Sequence, residues 1–199
     1  MRLPALIALI VILAAQPAAA GVGDVLIQAG HEGRPASCAP LHVKACNLGA
    51  AAGDARERDW TPRVADAAAA ALRARGYRVI RRPADYAGED TVRAALFLHF
   101  DGSAPCASGA SVGFPEGTGR AFIAGWEHRY RALFPFRFVG ENISVNERRY
   151  YGFRKVNAPE KLLIEFGEIS CPEQRAWMAP RLTQLGTAVA DFLTEALPR

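Results

Sequence analysis

Three short segments each bring one metal-competent side chain to the end of an apolar stretch. His31 follows Val25-Leu26-Ile27-Gln28-Ala29-Gly30, Glu57 opens Glu57-Arg58-Asp59-Trp60, and His99 follows Leu96-Phe97-Leu98. A fourth segment, Leu162-Leu163-Ile164, delivers Glu165 in the same way. Two imidazoles and a carboxylate are the ligand set of hydrolytic zinc sites that leave one coordination position open for water. A further carboxylate supplies the proton-transfer group such a site needs. Singly, each residue has a plain structural use: a loop histidine, a helix cap, an ion pair between Glu165 and Lys161. It is the ordered His, Glu, His, Glu series that points to chemistry.

Those four residues need elements to carry them. Val25 to Ala29 reads as a compact apolar strand that Gly30 ends. Glu32 to Asp54 is rich in Gly, Ala and Pro without a period, and reads as a loop. Trp60, Val64, Ala68, Ala71 and Leu72 then recur at helical spacing. Asp59 or Thr61 can cap this helix, Pro62 is tolerated in its first turn, and Gly76 stops it. Tyr77 to Ile80 and Ala94 to Phe100 read as the next strands. Strand, helix, strand in this rhythm implies a largely parallel sheet, with chemistry at the carboxyl ends of the strands. His31 and His99 fall at such ends.

Pro105 to Gly119 reads as a Gly/Pro/Ser-rich loop forming a wall or lid. Phe122, Trp126, Tyr130 and Leu133 give another helical stripe, Phe136 to Gly152 has no clear assignment, and Leu162 to Phe166 is a strand. Leu182, Leu185, Val189, Phe192 and Leu193 form the packing face of a final helix after a break at Pro180.

Taken together, these contexts resemble the zinc-dependent N-acetylmuramoyl-L-alanine amidases of the amidase-3 type. That family carries its first ligand in a Gly-His-Gly-like turn after a strand, matched by Gly30-His31-Glu32-Gly33. Its glutamate ligand heads a helix running to a glycine, matched by Glu57 and Gly76. Its second histidine ends a strand, matched by Leu98-His99-Phe100-Asp101, and its catalytic glutamate lies in a Glu-x-Gly strand end, matched by Glu165-Phe166-Gly167. The Asn157-Ala158-Pro159 approach to that strand is also similar. The sequence departs from the pattern at Gln28, where an acid is common, and at Glu32 and Glu168; the segment from Val79 to His99 is short.

The resemblance implies a single α/β domain of zinc-peptidase/phosphorylase-like architecture, a twisted, mostly parallel sheet with helices on both faces. It implies Zn²⁺ on His31, Glu57 and His99, with Glu165 as base and then acid. The bond cut would be the amide between N-acetylmuramic acid and L-alanine in peptidoglycan. Arg154 and Asn157 could contact stem-peptide carboxylates, although a surface salt bridge also suits Arg154. Asp101 either orients a ligand or caps the Gly102 turn. Two other readings stand beside this one: a peptidoglycan-binding protein on the same fold without turnover, and a zinc carboxypeptidase acting on cell-wall peptides.

Length and composition fit this picture. At 199 residues, 50% hydrophobic and 22% charged, the chain suits one globular domain. Arg2, the apolar run from Leu3 to Ala15 and the small-residue ending at Ala20 read as a signal peptide over 1–20, leaving a catalytic domain over 21–199. A membrane-anchoring helix is the alternative, against which the run is short. Removing Arg2 leaves a net charge of +3 from the +4 of the whole chain. That excess suits an anionic wall polymer and is too weak and unclustered for nucleic acid. The pairs Arg81-Arg82 and Arg148-Arg149 read as solvated surface. Four cysteines in an exported chain read as two disulfides, Cys38–Cys46 and Cys106–Cys171 being the favoured pairing. The expected location is the periplasm or envelope, without stable membrane insertion after cleavage. An envelope activator protein is compatible with this, though no stretch identifies one.

Overall fold

The computed structural model describes residues 20–34, 47–86 and 88–199. Residues 1–19, nearly all of the expected signal peptide, and the Cys38–Cys46 pairing lie outside the described residues. The described strands are β1 (Val25–Ala29), β2 (Ala51–Ala52), β3 (Ala55–Arg56), β4 (Val79–Arg82), β5 (Asp90–Thr91), β6 (Ala94–Asp101), β7 (Ala110–Gly113), β8 (Phe138–Glu141), β9 (Val156–Asn157) and β10 (Glu160–Glu168). The helices are α1 (Glu57–Ala74), α2 (Arg120–Leu133), α3 (Val145–Arg148), α4 (Pro172–Met178) and α5 (Leu182–Ala196). Short 3₁₀ turns cover Tyr151–Arg154 and Ala179–Arg181.

Six strands form one sheet in the order β4-β1-β6-β10-β7-β8. Pairing is parallel from β4 through β10 and between β7 and β8; only β10 and β7 run antiparallel. The central strands are apolar over most of their length because both sheet faces are covered, and are broken by Gln28, His99 and Glu165. Val25, Ile27, Leu96, Leu98, Phe100, Ile164 and Phe166 share one core with α1, α2 and α5. Leu26, Ala95, Phe97 and Leu163 belong to a second, smaller core with Tyr86, Val92, Phe153 and Val156.

The helical cover is therefore uneven. The long helices pack on one face; the other carries the one-turn α3, the 3₁₀ turn at Tyr151–Arg154 and irregular chain. Under the long helices, Trp126, Tyr130, Phe166 and Phe192 bury their rings together, each contributing about 1.5–3 kcal/mol by burial. The Tyr130 hydroxyl donates to the Phe166 carbonyl at 2.5 Å, pinning β10 one residue beyond Glu165. Gly186 lets α5 reach α1: a Cβ there would lie 2.5 Å from the Val64 carbonyl oxygen.

Three local expectations change. Neither Asp59 nor Thr61 caps α1; its N-cap is Arg56, without a side-chain cap. The Thr61 hydroxyl instead donates to the Gly30 carbonyl at 2.5 Å, tying the helix to the turn before His31. The expected loop from Pro105 to Gly119 contains β7, a sheet strand whose buried Ala110-Ser111-Val112-Gly113 is too small and mixed to signal itself. The unassigned stretch from Phe136 contains β8 and α3, the latter closed by a capping box between Ser144 and Glu147. Cys106 and Cys171 are bonded, joining the chain after β6 to the chain after β10.

Candidate metal centre

Each of the three sequence-predicted ligands is placed by a different device. His31 sits immediately beyond β1 in a left-handed conformation, φ 60°, a rare backbone state for a residue with a side chain. Glu57 is the first residue of α1, where its Oε2 accepts the Ala50 amide at 2.7 Å and its Oε1 the Phe100 amide at 3.0 Å. His99 is the sixth residue of β6, its ring lying on Gly30, where a Cβ would fall 2.4–2.7 Å from the ring atoms. Gly49 makes similar room: a Cβ there would meet Glu57 Oε2 at 2.3 Å.

The structure brings these residues together. Their donor atoms all lie within 4.8 Å of one another. Glu57 Oε1 is 2.8 Å from His99 Nδ1 and 3.5 Å from His31 Nε2, and the two rings stand at 88°. Ligands at zinc–nitrogen distances in a tetrahedron are about 3.3 Å apart, so the separations fit. Proton placement fits as well. His31 Nδ1 lies 2.7 Å from the Asn47 carbonyl, which can only accept, so Nδ1 carries the hydrogen and Nε2 presents its lone pair. Burial would raise the Glu57 pKa, but the His99 and His31 rings beside it and the Ala50 amide hold it below the usual carboxylate value. Burial likewise pushes His31 below the ordinary histidine value, against the pull of Glu57. A buried carboxylate facing an unprotonated imidazole nitrogen favours a cation between them. The residues present fit a zinc ion.

Glu165 pairs in register with His99 on the adjacent parallel strand, so both side chains leave the same face of the sheet. Burial first, then the negative charges of Glu57, Asp101 and Glu147, pushes its pKa well above the usual glutamate value. Its Oε2 is buried and has no hydrogen-bond partner among the described residues. Lys161 does not neutralise it; that ammonium donates to the Phe153 carbonyl at 2.9 Å. Glu165, His31 and His99 line one cleft of about 380 Å³ together with Tyr150, Arg149 and Asn146. An acid beside a group of side chains that could hold a cation is an arrangement able to move a proton next to a Lewis acid.

Other residues singled out from sequence fall elsewhere. The Asp101 carboxylate accepts the Gly102 amide at 2.7 Å, the turn-capping alternative, and the ligands are oriented by other groups. Those groups are the Asn47 carbonyl, the Ala50 and Phe100 amides, and the Tyr150 hydroxyl 3.1 Å from His99 Nε2. Asn157 is exposed and pairs with Thr91, beyond the amino end of β10. The five strand steps from Glu160 to Glu165 alone span roughly 16 Å. Arg154 is exposed and does not line the cleft; Arg149, exposed as its sequence reading expects, borders it. The remaining basic residues of those pairs are held: Arg81 pairs with Glu32 and Asp66, Arg82 with buried Asp90, and Arg148 donates to the Asn142 carbonyl. Glu168 is fully buried and accepts the amides of Cys106 and Ser108 at 2.9 and 2.7 Å, so it organises the chain that the disulfide ties down.

No protein-family model and no curated protein sequence matches the chain. Solved structures do. The N-acetylmuramoyl-L-alanine amidase AmiC2 of Nostoc punctiforme superposes with a TM-score of 0.68 at 20% identity, covering 88% of this chain and 97% of that one. The catalytic domain of CwlV, an N-acetylmuramoyl-L-alanine amidase from Bacillus (Paenibacillus) polymyxa var. colistinus, gives 0.65 at 15% identity over 88% and 97%. The CwlD amidase of Clostridioides difficile, solved in complex with the GerS lipoprotein, gives 0.63 at 12% identity over 88% and 98%. The fold of this chain is that of these amidases.

Proposed function

We propose that this chain is a zinc-dependent hydrolase of the amide between N-acetylmuramic acid and L-alanine in peptidoglycan. The observation that carries the reading is the convergence of His31, Glu57 and His99 beside Glu165, on the fold that the named amidases share. His31, Glu57 and His99 would hold the ion. When bound, zinc supplies Lewis acidity toward a carbonyl and lowers the pKa of water from about 15.7 toward 7. Glu165 would take the proton of the attacking water and return it to the departing amine nitrogen. Its lone Oε2 is free to receive that proton, and its raised pKa brings it nearer to working pH. Arg149 and Asn146, on the cleft wall, are the proposed contacts to anionic and amide groups of the stem peptide.

Export to the envelope is proposed with the activity. The Cys106–Cys171 bond suits an oxidising compartment, and among the described residues no helix is long and apolar enough to cross a membrane. The lipoprotein in the CwlD complex supports, for this chain too, a search for an envelope partner.

Wild type and Glu165→Gln are to be compared on purified sacculi, with and without chelator. The proposal expects wild type to release stem peptides with a new alanine amino terminus, chelator to stop it, and the variant to release nothing. Retention on sacculi without release would indicate a binding protein. Release of single amino acids from peptide carboxyl ends would indicate a carboxypeptidase.

A further inference from the structure

The orientation of His99 is set by a directed chain of hydrogen bonds that begins at a main-chain carbonyl. Gln28 is fully buried on β1, and one end of its side-chain amide lies 2.8 Å from the Ala84 carbonyl oxygen. A carbonyl only accepts, so that end is the NH₂ group and the other end is Oε1. Oε1 lies 2.9 Å from the Tyr150 hydroxyl and also only accepts, so the hydroxyl proton points to Gln28. With its proton committed, the Tyr150 oxygen accepts from its other neighbour, His99 Nε2 at 3.1 Å. His99 therefore carries its hydrogen on Nε2, and its Nδ1 lone pair faces Glu57 Oε1 and the donor atom of His31.

We infer that Gln28 and Tyr150 are positioning residues that fix the tautomer and ring plane of His99 for metal ligation. This deepens the metal-centre reading and rests on it. Packing supports the same role. The Tyr150 ring meets the His99 ring edge-on at 5.2 Å and rests against Phe97 and Phe153. A second tyrosine locks the far end: Gln28 Nε2 also donates to the Tyr151 hydroxyl at 3.0 Å, and that hydroxyl donates to the same Ala84 carbonyl. Every polar atom of Gln28 is thus engaged, and its amide cannot reverse without breaking three contacts. Tyr150 is a cleft residue by position but acts through His99, so its hydroxyl is not a catalytic group.

The test uses the full chain and zinc as the probe, with affinity read by competition against a chromophoric chelator. Tyr150→Phe keeps the ring and removes the relay; Gln28→Leu removes its origin. Each should weaken zinc binding about 10- to 100-fold, the range for partners that orient metal ligands. The double variant should be little worse than either single one, because both break one chain. Gln28→Glu, which keeps an acceptor for Tyr150, should lose less than Gln28→Leu. Long-range ¹H–¹⁵N spectra of the zinc-loaded wild type should show His99 bound through Nδ1 with hydrogen on Nε2. That spectrum needs no variant to fold. Wild-type affinity in Tyr150→Phe, or ligation through Nε2, would overturn the inference while leaving the metal centre standing. A wild type that holds no zinc would overturn both.

Discussion

Glu165 is the cross-strand partner of His99, yet the two carry opposite constraints. Both nitrogens of His99 have polar neighbours, Glu57 and Tyr150, whereas one oxygen of Glu165 is buried with no hydrogen-bond partner among the described residues. Strand pairing delivers a fixed imidazole and an unsatisfied acid side by side, and the second has a measurable cost.

Glu165→Gln should stabilise the metal-free protein at neutral pH while abolishing hydrolysis. The folded-state pKa is raised above the ordinary 4.5, mainly by burial and then by Glu57. Above that ordinary value the unfolded chain ionises and the folded one resists, so stability declines as pH rises toward the folded pKa. Glutamine removes this dependence. Thermal unfolding should show the variant higher by a few degrees at pH 7 and no gain at pH 4.

Acid should act oppositely through the ligands. His31 and Glu57 both have lowered pKa values, so their contribution is present above their ordinary values and lost as pH falls. The window opens below 6.5 for His31 and below 4.5 for Glu57. Zinc affinity measured by competition should fall across the same interval as protons displace the ion. An affinity unchanged between pH 7 and 5 would contradict the assigned ligands.

Arg149→Ala should raise KM on soluble muropeptides about tenfold, the value of one hydrogen bond to a charged group, with kcat nearly kept. Arg154→Ala should leave both constants unchanged, because that side chain does not line the cleft.

Gly30→Ala tests the close approach behind His99. An added Cβ would sit 2.4–2.7 Å from three ring atoms, so the ring must move or the strand end must yield. Overpacking of this kind costs about 1–3 kcal/mol, and zinc affinity should fall with it. Unfolding and metal titration of the same sample would read both.

Replacing Cys106 and Cys171 together by alanine opens a link between residues 65 apart. Chain-entropy reasoning puts such a link at about 4 kcal/mol, with 2–4 commonly realised. Denaturant unfolding should show a loss in that range. Glu168 would still hold the Cys106 and Ser108 amides, so the path of the chain after β6 should survive in the folded state.

The convergence of the candidate residues and the central strands were legible because they follow from periodicity and from where apolar runs stop: His31, Glu57, His99 and Glu165 come together as their contexts suggested. What held them in place was not legible. Asn47, Ala50 and Ala84 act through main-chain atoms, which every residue type possesses. Tyr150 lies 51 residues from its histidine partner, in a stretch without a period. Thr61 read as a cap because its hydroxyl suits one, but a carbonyl from another element claimed it. Arg149 and Arg154 look alike in sequence; only the fold of the chain after β8 decides which one borders the cleft.

Because the polarity of the centre originates in the peptide after Ala84, no side chain at that position encodes it. Small residues that preserve the path of the main chain there should be interchangeable in function. A one-residue insertion or deletion between Pro83 and Asp85 would silence the ion site from a distance, with every ligand, tyrosine and glutamine still present in the gene.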